Sequence, residues 1–178
     1  MNKLLIVVMV TKLSLISPDA FAACSVENTA IVSSTPSRYF SVHDDGTVTH
    51  YTTGLMWMQC SLGQNSLDGN CVGLATRFTW KQALQEANDS NHAGYSDWRL
   101  PNKKELVSIV EERCYRPAIN TKIFPNTSFG FYWSSTPVSS RATSAWFVNF
   151  SDGIVTGGTK SSSNPYFNSR VRLVRDVN

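Results

Sequence analysis

Residues 94–101, Gly-Tyr-Ser-Asp-Trp-Arg-Leu-Pro, constrain the fold more than any other part of this 178-residue sequence. Trp98 stands between an acid, Asp97, and a base, Arg99, and the next residues lead into a predicted helix. A tryptophan between opposite charges indicates a mostly buried position, where an ion pair must be hydrogen-bonded to be tolerated. We therefore expect a structural corner, with Asp97 or Arg99 paired internally and Trp98 packed between the helices and the sheet.

Residues 1–22 have the pattern of a signal peptide. A short basic start is followed by an apolar run over residues 4–10 and by a small-x-small cleavage site, Ala20-Phe21-Ala22. The run is shorter than the roughly 18–20 residues of a membrane span, and Lys12 interrupts it. We expect an exported protein, periplasmic or secreted to the cell surface, with no transmembrane segment in the mature chain. Cleavage after Ala22 is favoured, and a lipid anchor on Cys24 is the alternative.

Four cysteines follow the predicted signal peptide, and an even number in an oxidising compartment predicts two disulfides. Three pairings are possible. We favour Cys60–Cys71, which would close a short polar loop, with Cys24–Cys114, which would pin the mature N-terminus to the end of a helix. Zinc is the other common use of four cysteines, but the sequence has no Cys-x2-Cys pair, so we expect no metal.

The order of predicted elements favours an α+β fold with an antiparallel sheet. Two capping boxes, Thr79 with Gln82 and Asn102 with Glu105, mark the starts of two helices, the second running to about Cys114. Strands are predicted at residues 47–51, 55–58, 131–135, 145–150, 154–156 and 170–174. The polar residues 23–45 are predicted to form an extended N-terminal arm, and residues 46–178 one compact domain.

Catalytic patterns are missing from the sequence. His43, His50 and His92 lie far apart at no spacing typical of metal ligands or of a triad, and no nucleophile-elbow or zinc-protease motif occurs. The formal charge of +3 is too mild to predict nucleic-acid binding. We expect a protein that is not an enzyme and has no cofactor.

The C-terminal part of the chain carries the candidate ligand contacts. From residue 134 onward there are five bases and two acids. Arg170 and Arg172 share one face of the predicted strand 170–174, where two guanidinium groups can bind sulfate, phosphate or carboxylate. The alternative for Arg172 is an ion pair with a framework acid such as Asp97. The candidate ligand-binding residues are Arg141, Lys160, Arg170, Arg172 and, as a partly exposed aromatic platform, Trp146.

Several short motifs between about residues 46 and 175 occur in an order typical of one family. They are Thr53-Gly54-Leu55-Met56-Trp57, Thr79-Trp80-Lys81-Gln82-Ala83-Leu84, residues 94–106, Phe124-Pro125-Asn126-Thr127, Tyr132-Trp133-Ser134-Ser135-Thr136, Ala145-Trp146-Phe147-Val148 and Val171-Arg172-Leu173-Val174-Arg175. On these motifs the chain resembles the Lcl C-terminal domain family of exported bacterial proteins.

The resemblance implies a compact fold similar to C-type lectin-like domains, without known catalytic activity. It also implies binding of sulfated, glycosaminoglycan-like polysaccharides. This chain lacks the collagen-like stalk of the adhesins in the family, and the Glu-Pro-Asn and Trp-Asn-Asp motifs of calcium-dependent lectins. We therefore expect a calcium-independent, non-enzymatic module that binds an anionic polysaccharide. The alternatives are an accessory protein docking on a pilus, secretion or other cell-envelope protein, and an enzyme resembling the formylglycine-generating group.

Overall fold

The computed structural model describes residues 24–161 and 168–177 and has an α+β fold with antiparallel sheets. The predicted signal peptide lies outside the described residues. The helices are α1 (Trp80–Asp89) and α2 (Lys103–Val107). The strands are β1 (Val26–Glu27), β2 (Phe40–Val42), β3 (Thr47–His50), β4 (Leu55–Met58), β5 (Asn65–Leu67), β6 (Asn70–Val72), β7 (Cys114–Tyr115), β8 (Phe131–Pro137), β9 (Ser144–Asn149), β10 (Val155–Thr159) and β11 (Val174–Asp176). The predicted fold class, antiparallel sheet, two helices and two disulfides are confirmed.

The larger sheet has four strands in the order β11-β4-β3-β2. Trp57 on β4 is opposite Val48 on β3 and Val174 on β11, and all three are fully buried in one apolar cluster. The strand Phe40–Val42 falls inside the segment predicted as an extended arm. The end of that segment is therefore part of the sheet, because Phe40 packs into the core.

The second sheet has three strands in the order β10-β9-β8. Its two faces follow from the alternation of side chains along β9. Phe147 packs in a cluster with Trp133 and Ala145, whereas Val148 belongs to the cluster that contains Trp57. Each face of this sheet thus contributes to a separate apolar cluster.

Both helices begin at the predicted capping boxes, but the second helix is shorter than predicted. Thr79 and Asn102 each accept from the backbone N–H three residues on, and the side chains of Gln82 and Glu105 accept in return. α2 ends at Val107 and does not reach Cys114, which instead pairs with Glu27 in a β-ladder. That pairing needs extended backbone, so a helix through Cys114 is excluded.

The predicted strand at residues 170–174 is also wrong in its extent, since the last strand begins at Val174. The backbone before it bonds to several elements in turn. Arg170 accepts from Trp133 N, Val171 from Leu62 N and Leu173 from Met58 N. This segment runs between the two sheets, and its residues therefore do not share the regular faces that a strand would give them.

Both favoured disulfides are confirmed. Cys24–Cys114 and Cys60–Cys71 join Cα atoms 5.5 and 5.3 Å apart, and together they include every cysteine of the chain. The first uses the Cys24 sulfur that the lipid-anchor alternative would require. Two disulfides are typical of an oxidising compartment, which agrees with export. Within the described ranges, no helix has the length and apolarity needed to cross a bilayer.

The buried carboxylate of Glu111 ties the N-terminal segment to the domain. Its oxygens accept from Ser33 Oγ at 2.6 Å, from Ser34 N at 3.0 Å and from Thr35 N and Oγ1 at 2.9 Å. Burial raises the pKa of Glu111, but these hydrogen bonds outweigh it and hold the pKa below its ordinary value.

The corner at residues 97–99 has internal partners for both of its charges. Asp97 binds Arg175, and Arg99 binds Glu105 at 2.7 Å and Asp176 at 3.1 Å. Trp98 is only 3% exposed and donates from Nε1 to the His92 carbonyl. The corner therefore joins α2, β11 and the turn after α1.

Candidate functional site

Strand β8 is irregular at one end of the three-stranded sheet. Its register against β9 shifts between Trp133 and Pro137, which frees polar groups from the ladder. Ser134 Oγ donates to the carbonyl of Trp146, and Thr136 Oγ1 accepts from Lys103 N at 2.9 Å. The irregular segment thus holds the first residue of α2 beside β9.

Trp146 lies on β9 with its side chain half-buried. The Lys103 ammonium is 4.6 Å from the centroid of the indole ring. A cation at this distance is attracted by the negative face of the ring. A tryptophan at the surface therefore carries a positive charge against it.

A shallow cavity of about 320 Å³ adjoins Trp146. It is lined by Val138, Ser140, Arg141, Trp146 and residues 155–157 of β10. A Cβ on Gly157 would lie 3.0 Å from Val138 Cγ2, so glycine lets the Val138 side chain pack closely against β10. The cavity combines an indole, two valines, two hydroxyls and a guanidinium, and none of its described lining residues is acidic. We call it the Trp146 cavity.

Lys160 lies at the same end of the sheet but on its other side. Its Nζ is 4.4 Å from the centroid of the Trp80 ring and donates to the Ala142 carbonyl at 2.8 Å. Trp80 packs against the cluster of Phe147, whose side chain points to the face opposite Trp146. Arg141 and Ala142 belong to the same hairpin loop, so Lys160 and the Trp146 cavity flank that loop from two sides.

Arg172 is not available to a ligand, and its place among the predicted ligand contacts is corrected. The side chain is fully buried, with its guanidinium 4.6 Å from the Phe124 centroid. It donates to the Gln59 carbonyl and, over 2.7 Å, to Thr127 Oγ1. Burial lowers the pKa of Arg172 to about 10. The suggested partner Asp97 is bound by Arg175 instead.

The side chain of Arg170 is half-buried beside the start of β8. Its Nη1 occupies the space beside Gly130, where a Cβ would lie 2.9 Å away. Burial lowers the pKa of Arg170. Its backbone bonds to Phe131 and Trp133 on the edge of β8 that faces away from β9 and β10, and Arg170 does not line the Trp146 cavity. The structure therefore brings Arg141 and Trp146 together in one cavity, whereas Lys160, Arg170 and Arg172 do not line it.

The family model of the Lcl C-terminal domain matches residues 46–175. The chain belongs to the Lcl C-terminal domain family. The matched range contains both helices, β3 to β10 and all five predicted ligand contacts. No curated protein matches the chain.

Two residues that form surface contacts in the structure, Lys103 and Trp80, were not predicted from the sequence. Lys103 and Trp80 each form a cation–π pair with a partner far along the chain, Trp146 and Lys160 respectively. Trp80 is the first residue of α1 and has an apolar side chain, which is typical of core packing, and nothing in the local pattern distinguishes Lys103 from its neighbour Lys104. The only available signal was that each of the two residues is the first of its helix, because the cap residue before it fixes the direction of the first turn.

A larger groove of about 490 Å³ lies elsewhere on the domain and has acidic walls. Asp44, Asp45 and Asp68 line it together with His43 and Gln59. Asp45 Oδ1 already accepts from Thr47 N and Oγ1. Within the described part of the chain, no group of His, Cys, Asp and Glu side chains could hold a metal ion. The negative walls disfavour an anionic ligand in this groove.

Proposed function

We propose that this protein is an exported, non-enzymatic binding module that recognises a sulfated or otherwise anionic glycan at the Trp146 cavity. The supporting observation is the position of Trp146, half-buried in a cavity whose only charged lining residue in the described chain is Arg141, with the Lys103 ammonium on its ring. The protein acts in the periplasm or at the cell surface.

Recognition follows from the chemistry of the lining groups. An indole offers a flat apolar surface to the C–H face of a sugar ring, while a guanidinium binds a sulfate or carboxylate through two parallel hydrogen bonds. Lys103 adds a second cation, and Ser140 offers a hydroxyl to the sugar. Because no described acid lines the cavity, the proposed binding needs no calcium to bridge the protein and the sugar.

The test is binding of the mature, disulfide-intact protein to heparin by titration calorimetry. We expect Arg141→Ala and Trp146→Ala to weaken the affinity at least about tenfold, the loss of one good contact. Lys122→Ala is the matched control, because it removes an exposed cation from a different loop. Arg170→Ala is a second control and is expected to bind like wild type. Affinity should fall as salt rises and should not change with EDTA.

Unchanged heparin binding by a folded Arg141→Ala, Trp146→Ala double variant would reject this site. Equal losses for the Lys122→Ala control would indicate general charge attraction instead. Failure to bind any anionic glycan, with copurification of one stoichiometric envelope protein, would favour the docking alternative. The enzyme alternative needs available cysteine chemistry, and both disulfides leave no free thiol.

A further inference from the structure

β10 is one of the two outer strands of the three-stranded sheet, and one side of its backbone has no partner among the described residues. Asn149 N bonds to Ile154 O and Lys160 N to Thr143 O, which fixes the alternation along the ladder with β9. Thr156 and Gly158 therefore point their N–H and C=O groups towards β9. The same groups of Val155, Gly157 and Thr159 point outward and find no partner in the part of the chain that the structure describes.

This edge lacks the features that normally protect a sheet edge. The strand Val155–Thr159 reads Val-Thr-Gly-Gly-Thr, without a charge or a proline, and pairs with β9 in unbroken register. Natural edges are usually short, charged, bulged or covered, because an open row of backbone groups pairs with other chains. On the four-stranded sheet, β2 is only three residues long, and Val174 at the start of β11 forms a bridge with Arg99. The outer edge of β8 is bonded by Arg170 and by the Pro101 carbonyl, so β10 is the longest described edge left open.

We propose that β10 pairs antiparallel with β10 of a second copy of this chain, about a two-fold axis at Gly157. The three outward residues are evenly spaced around Gly157, so such pairing sets Gly157 opposite Gly157 and Val155 opposite Thr159 of the second copy. Each of these pairs exchanges two backbone hydrogen bonds. Every outward backbone group of the strand is then satisfied by one symmetric operation, as closed dimers require.

The side chains on this edge fit the same arrangement. Val155 and Thr159 are β-branched, and such cross-strand pairs stabilise sheets. Glycine at the axis leaves no side chains to collide where the copies meet. Ile154, which is 58% exposed in the single chain, lies next to the second copy in the pair. Pairing therefore covers an apolar side chain as well as the open backbone.

The pairing of the β10 strands is independent of the proposed function, whereas its effect on glycan binding rests on that function. Residues 155–157 line the Trp146 cavity, so the two cavities of a pair adjoin across the axis. A polyanionic chain can then contact both, and binding at the second becomes intramolecular. We infer a two-fold site suited to a polymer with repeated charges.

Amide hydrogen exchange followed by NMR at increasing concentration of the unliganded, disulfide-intact protein tests the pairing directly. We expect the amides of Val155, Gly157 and Thr159 to exchange fast when dilute and to become protected when concentrated. The amides of Thr156 and Gly158, bonded within the monomer, should be protected throughout. Sedimentation should show a dimer over the same range. A monomer at every concentration, with the three amides always fast, would overturn the proposal.

Thr159→Pro provides the matched perturbation. It removes an N–H that the monomer does not use, and proline is tolerated at such edge positions. We expect the variant to keep its fold by circular dichroism and to stay monomeric. Val42→Pro, at an outward position of the β2 edge, is the control and should dimerise like wild type. Dimerisation lost in Val42→Pro but kept in Thr159→Pro would place the interface elsewhere and reject β10. Neither experiment contains a glycan, so their failure is distinct from failure of the heparin test.

Discussion

Arg175 Nε lies 2.7 Å from Asp97 Oδ1, so an ion pair joins the last strand to the corner before α2. The guanidinium also lies 4.1 Å from the centroid of the Tyr95 ring. The hydrogen bond from Arg175 is the main reason why the pKa of Asp97 is below its ordinary value. This contact ties the C-terminal end of the matched residues 46–175 to the corner near their middle.

Asp97→Asn tests this pair. We expect a lower thermal unfolding midpoint than wild type at neutral pH. Because the folded pKa of Asp97 is below its unfolded value, its contribution is present above the unfolded value near 3.8 and disappears as pH falls through the folded pKa. The two midpoints should therefore converge in acid. Asp44→Asn, an exposed acid, is the control, and equal destabilisation of both variants would contradict the prediction.

Trp98→Ala should destabilise the whole domain by about 3–5 kcal/mol, because it removes a buried aromatic side chain and its hydrogen bond to His92. Urea unfolding measures the change. Tyr51→Ala is the control, since Tyr51 is 63% exposed and should change stability by less than about 0.5 kcal/mol. A stable Trp98→Ala protein that lost only heparin binding would show that the corner is a binding site.

Glu111→Ala should cost about 3 kcal/mol, because Ser33, Ser34 and Thr35 lose a common acceptor. The contribution is present above the ordinary pKa of 4.5 and is lost as pH falls through the lower folded value. Stability measured from pH 7 into acid should consequently fall more steeply for wild type than for Glu111→Gln. The neighbouring, exposed Glu112→Ala should keep the wild-type profile, and a parallel loss there would argue against a specific role of Glu111.

Arg172→Ala is expected to lower the stability of the fold, whereas Arg141→Ala is expected to lower the affinity for heparin. Removing Arg172 leaves buried acceptors, including the Gln59 carbonyl and Thr127 Oγ1, without a donor and should cost about 3 kcal/mol or more. Removing the exposed Arg141 should leave the unfolding free energy unchanged and weaken heparin binding. Unfolding curves and heparin titrations on both variants check this. Reduced heparin affinity of folded Arg172→Ala, at wild-type stability, would restore Arg172 to the site.

Removal of the two disulfides should differ in effect. Cys24–Cys114 spans 90 residues and Cys60–Cys71 spans 11. In the chain-entropy account, replacing the first pair by serines costs about 4–5 kcal/mol and the second about 3 kcal/mol. Urea unfolding of the two double variants measures both. The reverse order would show that native contacts, rather than loop closure, set their contributions.

Local chemistry made the element starts predictable, and long-range contacts decided the rest. The caps at Thr79 and Asn102 and the hairpin strands follow from nearby residues. The early end of α2 could not be inferred locally, because it depends on pairing between Cys114 and Glu27.

In the candidate site, too, contacts between distant parts of the chain determined what the local sequence could not predict. Arg170 and Arg172 were grouped on the assumption of a strand, but their backbone bonds to several elements and one side chain became buried. Trp146 and Arg141 line one cavity because of the irregular β8 and the loop after it, whose shape no sequence period encodes.

The two lysine–indole contacts also determine what the protein's fluorescence can report. Of its five tryptophans, Trp57, Trp98 and Trp133 are buried, and only Trp80 and Trp146 lie half-buried beneath an ammonium group. An anion that pairs with Lys103 takes a charge away from the Trp146 ring and thereby alters its emission. In Trp80→Phe, the remaining environment-sensitive emission belongs to Trp146, so ligand screening needs no added dye.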